Sequence, residues 1–129
     1  MLYVADTHSL IWFLTDDRRL GKHAREVFNE TDSGKAVILI PTIVLAELIF
    51  ICEKKDAAVP FKHILNKINQ SSNYVTYSLD MRLILEISNL RLSEMHDRII
   101  VATAYAHKAT LITKDREIRK SRLVNTIWN

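Results

Sequence analysis

The sequence predicts an α/β domain, a three-layer α/β/α arrangement around a central, mainly parallel sheet of about four to five strands. Three observations carry this. Short apolar runs bounded by polar turns alternate with amphipathic helical stretches along the whole chain. The 129 residues are 48% hydrophobic and 26% charged, which suits one domain over residues 1–129 and excludes a disordered or fibrous chain. With only 2 Gly and 2 Pro, no linker, repeat or low-complexity segment divides it.

Leu2–Ala5 reads as a short buried strand ending at Asp6. Leu20, Ala24, Val27 and Phe28 share one helical face, and a polar turn over 31–35 leads to a second apolar strand near 36–40. Pro41 and Thr42 suit the start of a helix running to about Lys55, with Thr42 as its N-cap. Residues 36–52 hold 14 apolar residues in 17, but the Pro41-Thr42 break and Glu47 argue against a membrane span. A buried strand followed by a buried helix is expected there instead.

After Pro60, Phe61, Ile64, Leu65 and Ile68 recur at the spacing of an amphipathic helix. Tyr74–Ser78 is a strand candidate, Leu79, Leu83, Ile84, Ile87 and Leu90 mark another helix, and residues 94–108 a further one. Thr110–Thr113 reads as a strand, and residues 124–128 as a last edge strand. The single cysteine, Cys52, has no partner for an internal disulfide, so a reduced core residue in a cytosolic chain is expected. Asp6 interrupts the first apolar stretch and no basic segment precedes it, so no signal peptide and a cytoplasmic location are expected.

The net charge of +3 hides an asymmetry. Residues 1–107 carry 12 Lys/Arg against 13 Asp/Glu, whereas residues 108–129 carry 6 (Lys108, Lys114, Arg116, Arg119, Lys120, Arg122) against 2 (Asp115, Glu117). A basic C-terminal segment on a near-neutral body suits a polyanionic partner. Such a run is equally a solvated face, so it counts only beside other signals.

Four acids stand in awkward places. Asp6 and Asp115 each end a strand, on the Leu2-Val4-Asp6 and Leu111-Thr113-Asp115 faces, where ligands of open parallel sheets bind. The competing reading is that each caps the following turn or helix. Glu47 lies on a helix that is otherwise apolar all round, and a buried carboxylate needs a metal, a positioned Arg or a rim position. Asp97 precedes Ile99-Ile100-Val101-Ala102 near a helix N-terminus, where the dipole alone would welcome it.

The ordered set Asp6, Glu47, Asp97 and Asp115, in VADTHSLIWFL, PTIVLAELIF, EMHDRIIVATA and TLITKD, resembles the acidic quartet of PIN-domain nucleases. More narrowly it resembles the small VapC-type toxins of bacterial and archaeal toxin–antitoxin pairs. The separations are 41, 50 and 18 residues, so the likeness spans nearly the whole chain. Thr113, two before Asp115, and the pair Asp6-Thr7 match further parts of the family pattern. Clustered carboxylates without His or Cys ligands suit Mg²⁺, with Mn²⁺ as a substitute.

The resemblance implies an endoribonuclease that hydrolyses RNA phosphodiester bonds with a metal-activated water, leaving 5′-phosphate and 3′-hydroxyl ends. It implies Asp6, Glu47, Asp97 and Asp115 as catalytic, metal-holding acids, a cognate antitoxin protein, and a homodimer. Thr7 and Thr113 are supporting candidates that orient a water or a carboxylate. Arg98, Lys114, Arg116, Arg119 and Lys120 are candidates for contact with RNA, and His96 for phosphate. The Leu10–Leu14 run reads as core or as the wall of a protein interface. Two rivals are an inactive PIN-like module that binds RNA or protein without cleaving, and a phosphate-accepting receiver. The receiver fits poorly, because it needs a nucleophilic Asp in mid-chain.

Overall fold

Four residues without a polar break form β1 (Leu2–Ala5), and the last three of them are buried. The structure, a computed structural model, describes residues 1–54 and 59–129. Around β1 lie β2 (Val37–Pro41), β3 (Tyr74–Tyr77), β4 (Thr110–Ile112) and β5 (Thr126–Ile127). They make a five-stranded sheet of order β3-β2-β1-β4-β5 among the described residues, and every pairing is parallel. Parallel neighbours need crossover connections, and helices supply them. α1 (Thr7–Leu14) and α2 (Lys22–Asp32) join β1 to β2; α3 (Thr42–Cys52) and α4 (Phe61–Gln70) stand between β2 and β3. α5 (Met81–Ile87) and α6 (Met95–His107) join β3 to β4, and α7 (Arg116–Ser121) joins β4 to β5. The predicted α/β sheet flanked by helices is therefore the observed one.

The strand order reverses direction beside β1. The chain steps from β1 outward to β2 and β3, then returns to lay β4 on the other side of β1. Val4 pairs with Leu39 on one side and Leu111 on the other, so the carboxyl ends of β1 and β4 lie side by side. The Asp6 N–H extends that ladder, donating to the Ile112 carbonyl at 3.3 Å. A crevice opens at such a reversal of strand order. Beneath it the core is continuous: Leu10, Phe28, Ile38, Ile40, Leu111 and Ile112 are fully buried, and Phe13 stacks on Phe28 with ring centroids 4.6 Å apart.

Several local expectations are corrected. Pro41, not Thr42, is the N-cap of α3, and Thr42 is its first helical residue. Proline at that place contributes no side-chain cap but presets the backbone for entry. α3 is not buried all round: Val44 and Leu48 face the core, while Ile49 and Phe50 are 43% and 68% exposed. The helix ends at Cys52, which is half-buried against the core, and the expected end at Lys55 lies outside the described residues. The helix marked by Leu79–Leu90 is shorter, with Leu83 and Ile87 buried but Leu79 and Ile84 exposed. β3 and β4 stop one residue early, at Tyr77 and Ile112, β2 is displaced by one residue, and β5 keeps only two residues of the expected edge strand.

The C-terminus closes the fold by capping α2. Gly21, the N-cap, has no side chain to offer. Instead the Ala24 N–H donates to the Trp128 carbonyl at 2.9 Å, and the Lys22 N–H to Asn129 Oδ1 at 3.2 Å. Trp128 is buried and meets Trp12 edge-on, its centroid 6.0 Å away. A Cβ at Gly21 would collide with the Trp128 carbonyl and indole ring. Gly21→Ala is expected to cost about 1–3 kcal/mol, the usual range for overpacking. Urea unfolding checks this, and an unchanged midpoint would contradict this docking of the chain end.

Candidate active site

The crevice between β1 and β4 opens into a cleft of about 450 Å³, and its lining includes all four predicted acids, Asp6, Glu47, Asp97 and Asp115. Each arrives from a different element. Asp6 follows β1 and caps α1, accepting from the Ser9 N–H at 2.9 Å. Asp115 follows β4 and caps α7, accepting from the Ile118 N–H at 2.9 Å. Capping and site membership are thus compatible: a cap engages one carboxylate oxygen and leaves the other for the cleft. Asp97 stands in the first turn of α6.

Glu47 reaches the cleft from the second turn of α3. Oε1 accepts a hydrogen bond of 2.6 Å from the Thr7 hydroxyl, and Oε2 lies 3.2 Å from His96 Nδ1. Its side chain is 29% exposed, so two neighbours and a rim position together compensate the carboxylate on this apolar helix. Thr113 is fully buried between the two strand-end aspartates. Its hydroxyl accepts from the Asp115 N–H at 3.1 Å, and its hydrogen bonding to Asp6 favours the ionised form of that carboxyl.

Burial of carboxylates, with repulsion among them second, dominates the electrostatics of the cleft. Burial, then the charges of Asp115, Glu94, Asp6 and Glu47, push the Asp97 carboxyl up to about 6. Burial also raises Asp6, opposed by hydrogen bonds from Thr113 and Ser9 and by the charge of His8. As the side chains stand, no three acid, His or Cys groups among the described residues close tightly enough to enclose an ion. The donors fit a hard divalent cation nonetheless: they are carboxylate oxygens without a thiolate, and a cation would relieve the repulsion that raises Asp97.

Of the basic candidates, Lys114 and Arg116 line the acid cleft. Lys114 is held with Nζ 4.7 Å from the Trp12 ring centroid. Arg119 and Lys120 instead line an adjoining cleft of about 540 Å³ with Arg116 and Arg122, and Arg116 borders both. Arg98 is not brought to either: its Nε donates to the Leu92 carbonyl, which tethers the guanidinium to the loop before α6. Sequence reasoning missed Glu94, a fifth carboxylate in the lining and the N-cap of α6. A Glu three residues before Asp97 at a helix start was the available signal. It also passed over His8, which lines the cleft and packs on Trp12 with centroids 5.2 Å apart.

The family model of the PIN domain matches residues 3–122. The chain belongs to the PIN-domain family. No curated protein matches it by sequence. Among solved structures, this PIN domain is similar to VapBC2 from Rickettsia felis bound to a promoter DNA fragment, with TM-score 0.74, 17% identity and 100% of both chains covered. It is also similar to DNA-bound VapBC from Salmonella typhimurium, with TM-score 0.70, 22% identity and 98% of each chain covered. A toxin–antitoxin complex from Klebsiella pneumoniae gives TM-score 0.67 and 21% identity over 95% of this chain and 94% of that one. At these identities the likeness is one of fold.

The crowding has a measurable consequence for the PIN domain. The Asp97 carboxyl titrates higher in the folded chain than unfolded, so its ionisation opposes folding. Without metal, stability from this group falls as pH rises from about 4 through about 6. In EDTA at pH 7, Asp97→Asn is expected to raise Tm by about 2–4 °C, with no such gain at pH 4. Thermal melts across that range check it, and a lower Tm at pH 7 would mean that the carboxylate is already compensated.

Proposed function

We propose that this PIN domain is a Mg²⁺-dependent endoribonuclease toxin of the VapC type, neutralised by a cognate antitoxin and acting as a cytoplasmic homodimer. The observation that carries the reading is the convergence of Asp6, Glu47, Asp97 and Asp115 on one cleft at the strand-order reversal of a PIN fold. The rival of a non-cleaving module is disfavoured because all four acids are present and gathered.

In this reading Asp6, Asp97, Glu47 and Asp115 hold the cation, Mg²⁺ or Mn²⁺ in its place. When bound, such an ion supplies Lewis acidity, lowering the pKa of water and polarising a phosphate. The chain's own residues do the rest. Thr7 and His96 engage both oxygens of Glu47, and the Thr113 hydroxyl, buried beside Asp6, accepts from the Asp115 N–H. Lys114 and Arg116 place positive charge beside the acids, where a phosphodiester's charge must sit. Arg119 and Lys120 continue that charge along the adjoining cleft for the RNA backbone.

Protein partners have surface available. Met81, Ile84 and Leu85 on α5 are exposed apolar side chains. Exposed apolar groups of this kind mark contact surfaces. The solved structures from Rickettsia felis, Salmonella typhimurium and Klebsiella pneumoniae are toxin–antitoxin assemblies, which supports an antitoxin for this chain.

The test is cleavage of total cellular RNA by antitoxin-free protein in Mg²⁺, Mn²⁺ or EDTA. Asp6→Asn and Asp97→Asn are expected to lose at least about 100-fold in rate, and Thr7→Val about 10- to 100-fold through Glu47. Metal-independent cleavage, or equal rates in the Asn variants, would overturn the reading. Separately, Arg119→Glu with Lys120→Glu is expected to weaken RNA binding and to reduce the slope of log affinity against log salt by about 2. An unchanged slope removes that cleft from the RNA path.

A further inference from the structure

A third depression of about 410 Å³ adjoins the acid cleft and shares no lining residue with the basic one. It shares Thr7, His8, Glu47 and His96 with the acid cleft, and its floor is apolar: Ile43, Ala46, Phe50 and Ile51 of α3. The Thr7–Glu47 hydrogen bond is therefore a common wall, with carboxylates on one side and an apolar pocket on the other. Phe50 is 68% exposed, and Lys54 one turn later carries its ammonium 5.7 Å from the Phe50 ring centroid. An exposed aromatic ring with a cation over one face and, among the described residues, the other face free, next to a phosphate-sized site, is the pattern of a base-stacking platform on a single strand.

We propose that this pocket receives an unpaired nucleobase of the RNA strand, the base nearest the phosphate that lies over the acid cleft. The inference rests on the proposed function in one respect, that the strand crossing the cleft is RNA. Three depressions joined by shared residues make a track: the apolar pocket, the acids, then the basic cleft beyond Arg116. A strand that alternates bases with phosphates supplies matching chemistry for all three in that order. A base still paired in a duplex has its edge and both faces occupied and is unavailable to Phe50.

A charge-matched pair of probes tests this: a fluorescein-labelled adenosine octamer, and an octamer of the same ribose-phosphate backbone lacking bases. Binding is measured by anisotropy in EDTA, so that no cleavage intervenes. Wild type is expected to prefer the base-bearing strand by more than about 5-fold, and Phe50→Ala to reduce that preference by about 5-fold or more. Phe50→Trp is expected to retain it. Phe50 is largely exposed, so its removal is expected to leave the fold intact, which a thermal melt of the variant verifies. Equal affinity of wild type for the two strands, including none measurable for either, overturns the proposal. So does a preference that survives Phe50→Ala, including the case in which that variant instead changes the oligomeric state and assigns the face to a second copy. Parallel RNA cleavage in Mg²⁺ separates the two readings: base preference without cleavage overturns only the nuclease, and cleavage without base preference overturns only the pocket.

Discussion

Negative charge gathered at the carboxyl ends of two adjacent parallel strands is the constraint around which this domain is organised. Burial disfavours charge there and the neighbouring carboxylates repel one another, and the raised Asp97 carboxyl is the visible result of both. The fold counters with helix starts. Asp6 caps α1, Asp115 caps α7, and Asp97 occupies the first turn of α6, so three helix N-termini point positive ends and free N–H groups toward the acids. Whatever those dipoles leave uncompensated would favour a bound cation in the proposed function. The parallel sheet is what makes the geometry available, because strand ends and the helix starts that follow them fall on the same edge.

The cleft is also where the other surface features meet. Glu47 comes from a helix whose inner face anchors it through Val44 and Leu48 and whose outer face leaves Phe50 in solvent. Arg116 comes from the short helix that Asp115 caps, so the residue fixing one acid also fixes where the basic cleft begins. Trp12 sits beneath both sides: His8 packs on it, and Lys114 and Arg19 place cations over its ring at 4.7 and 4.6 Å. One buried aromatic thereby holds two cleft-lining side chains at set positions. Of the basic C-terminal residues, Lys114 and Arg116 stand next to the acids, while Arg119, Lys120 and Arg122 form an exposed cleft beside them.

Much of this was legible in the sequence because the signals were periodic or local. The strands at Leu2–Ala5 and Thr110–Ile112 were readable from apolar runs, and the acids that end them from the abrupt change of polarity. Helices α1 and α7 were not assigned. Thr7–Leu14 gathers its polar residues Thr7, His8 and Ser9 at the start and leaves Leu10–Leu14 an unbroken apolar run with no period, and Arg116–Ser121 is too short to show one. The burial of α3 was overstated for a related reason: apolar residues on every side imply a buried helix only if the molecule has something to cover each side. The contacts that finish the site were invisible. Thr7 and Glu47 are 40 residues apart, and Glu47 and His96 are 49 apart. Arg98 beside Asp97 suggested phosphate contact, but helical geometry turns consecutive residues about 100° apart, and it faces the Leu92 carbonyl instead.

The central claim, that these carboxylates form one cation site, is tested most directly by crystals grown with Mn²⁺ and measured for anomalous scattering. The account predicts a peak inside the cleft within coordinating distance of Asp6 and Asp97, about 2.0–2.3 Å after small side-chain rotations, and its loss in Asp97→Asn crystals. No peak there at millimolar Mn²⁺ in wild-type crystals, or a peak untouched by that substitution, would contradict it.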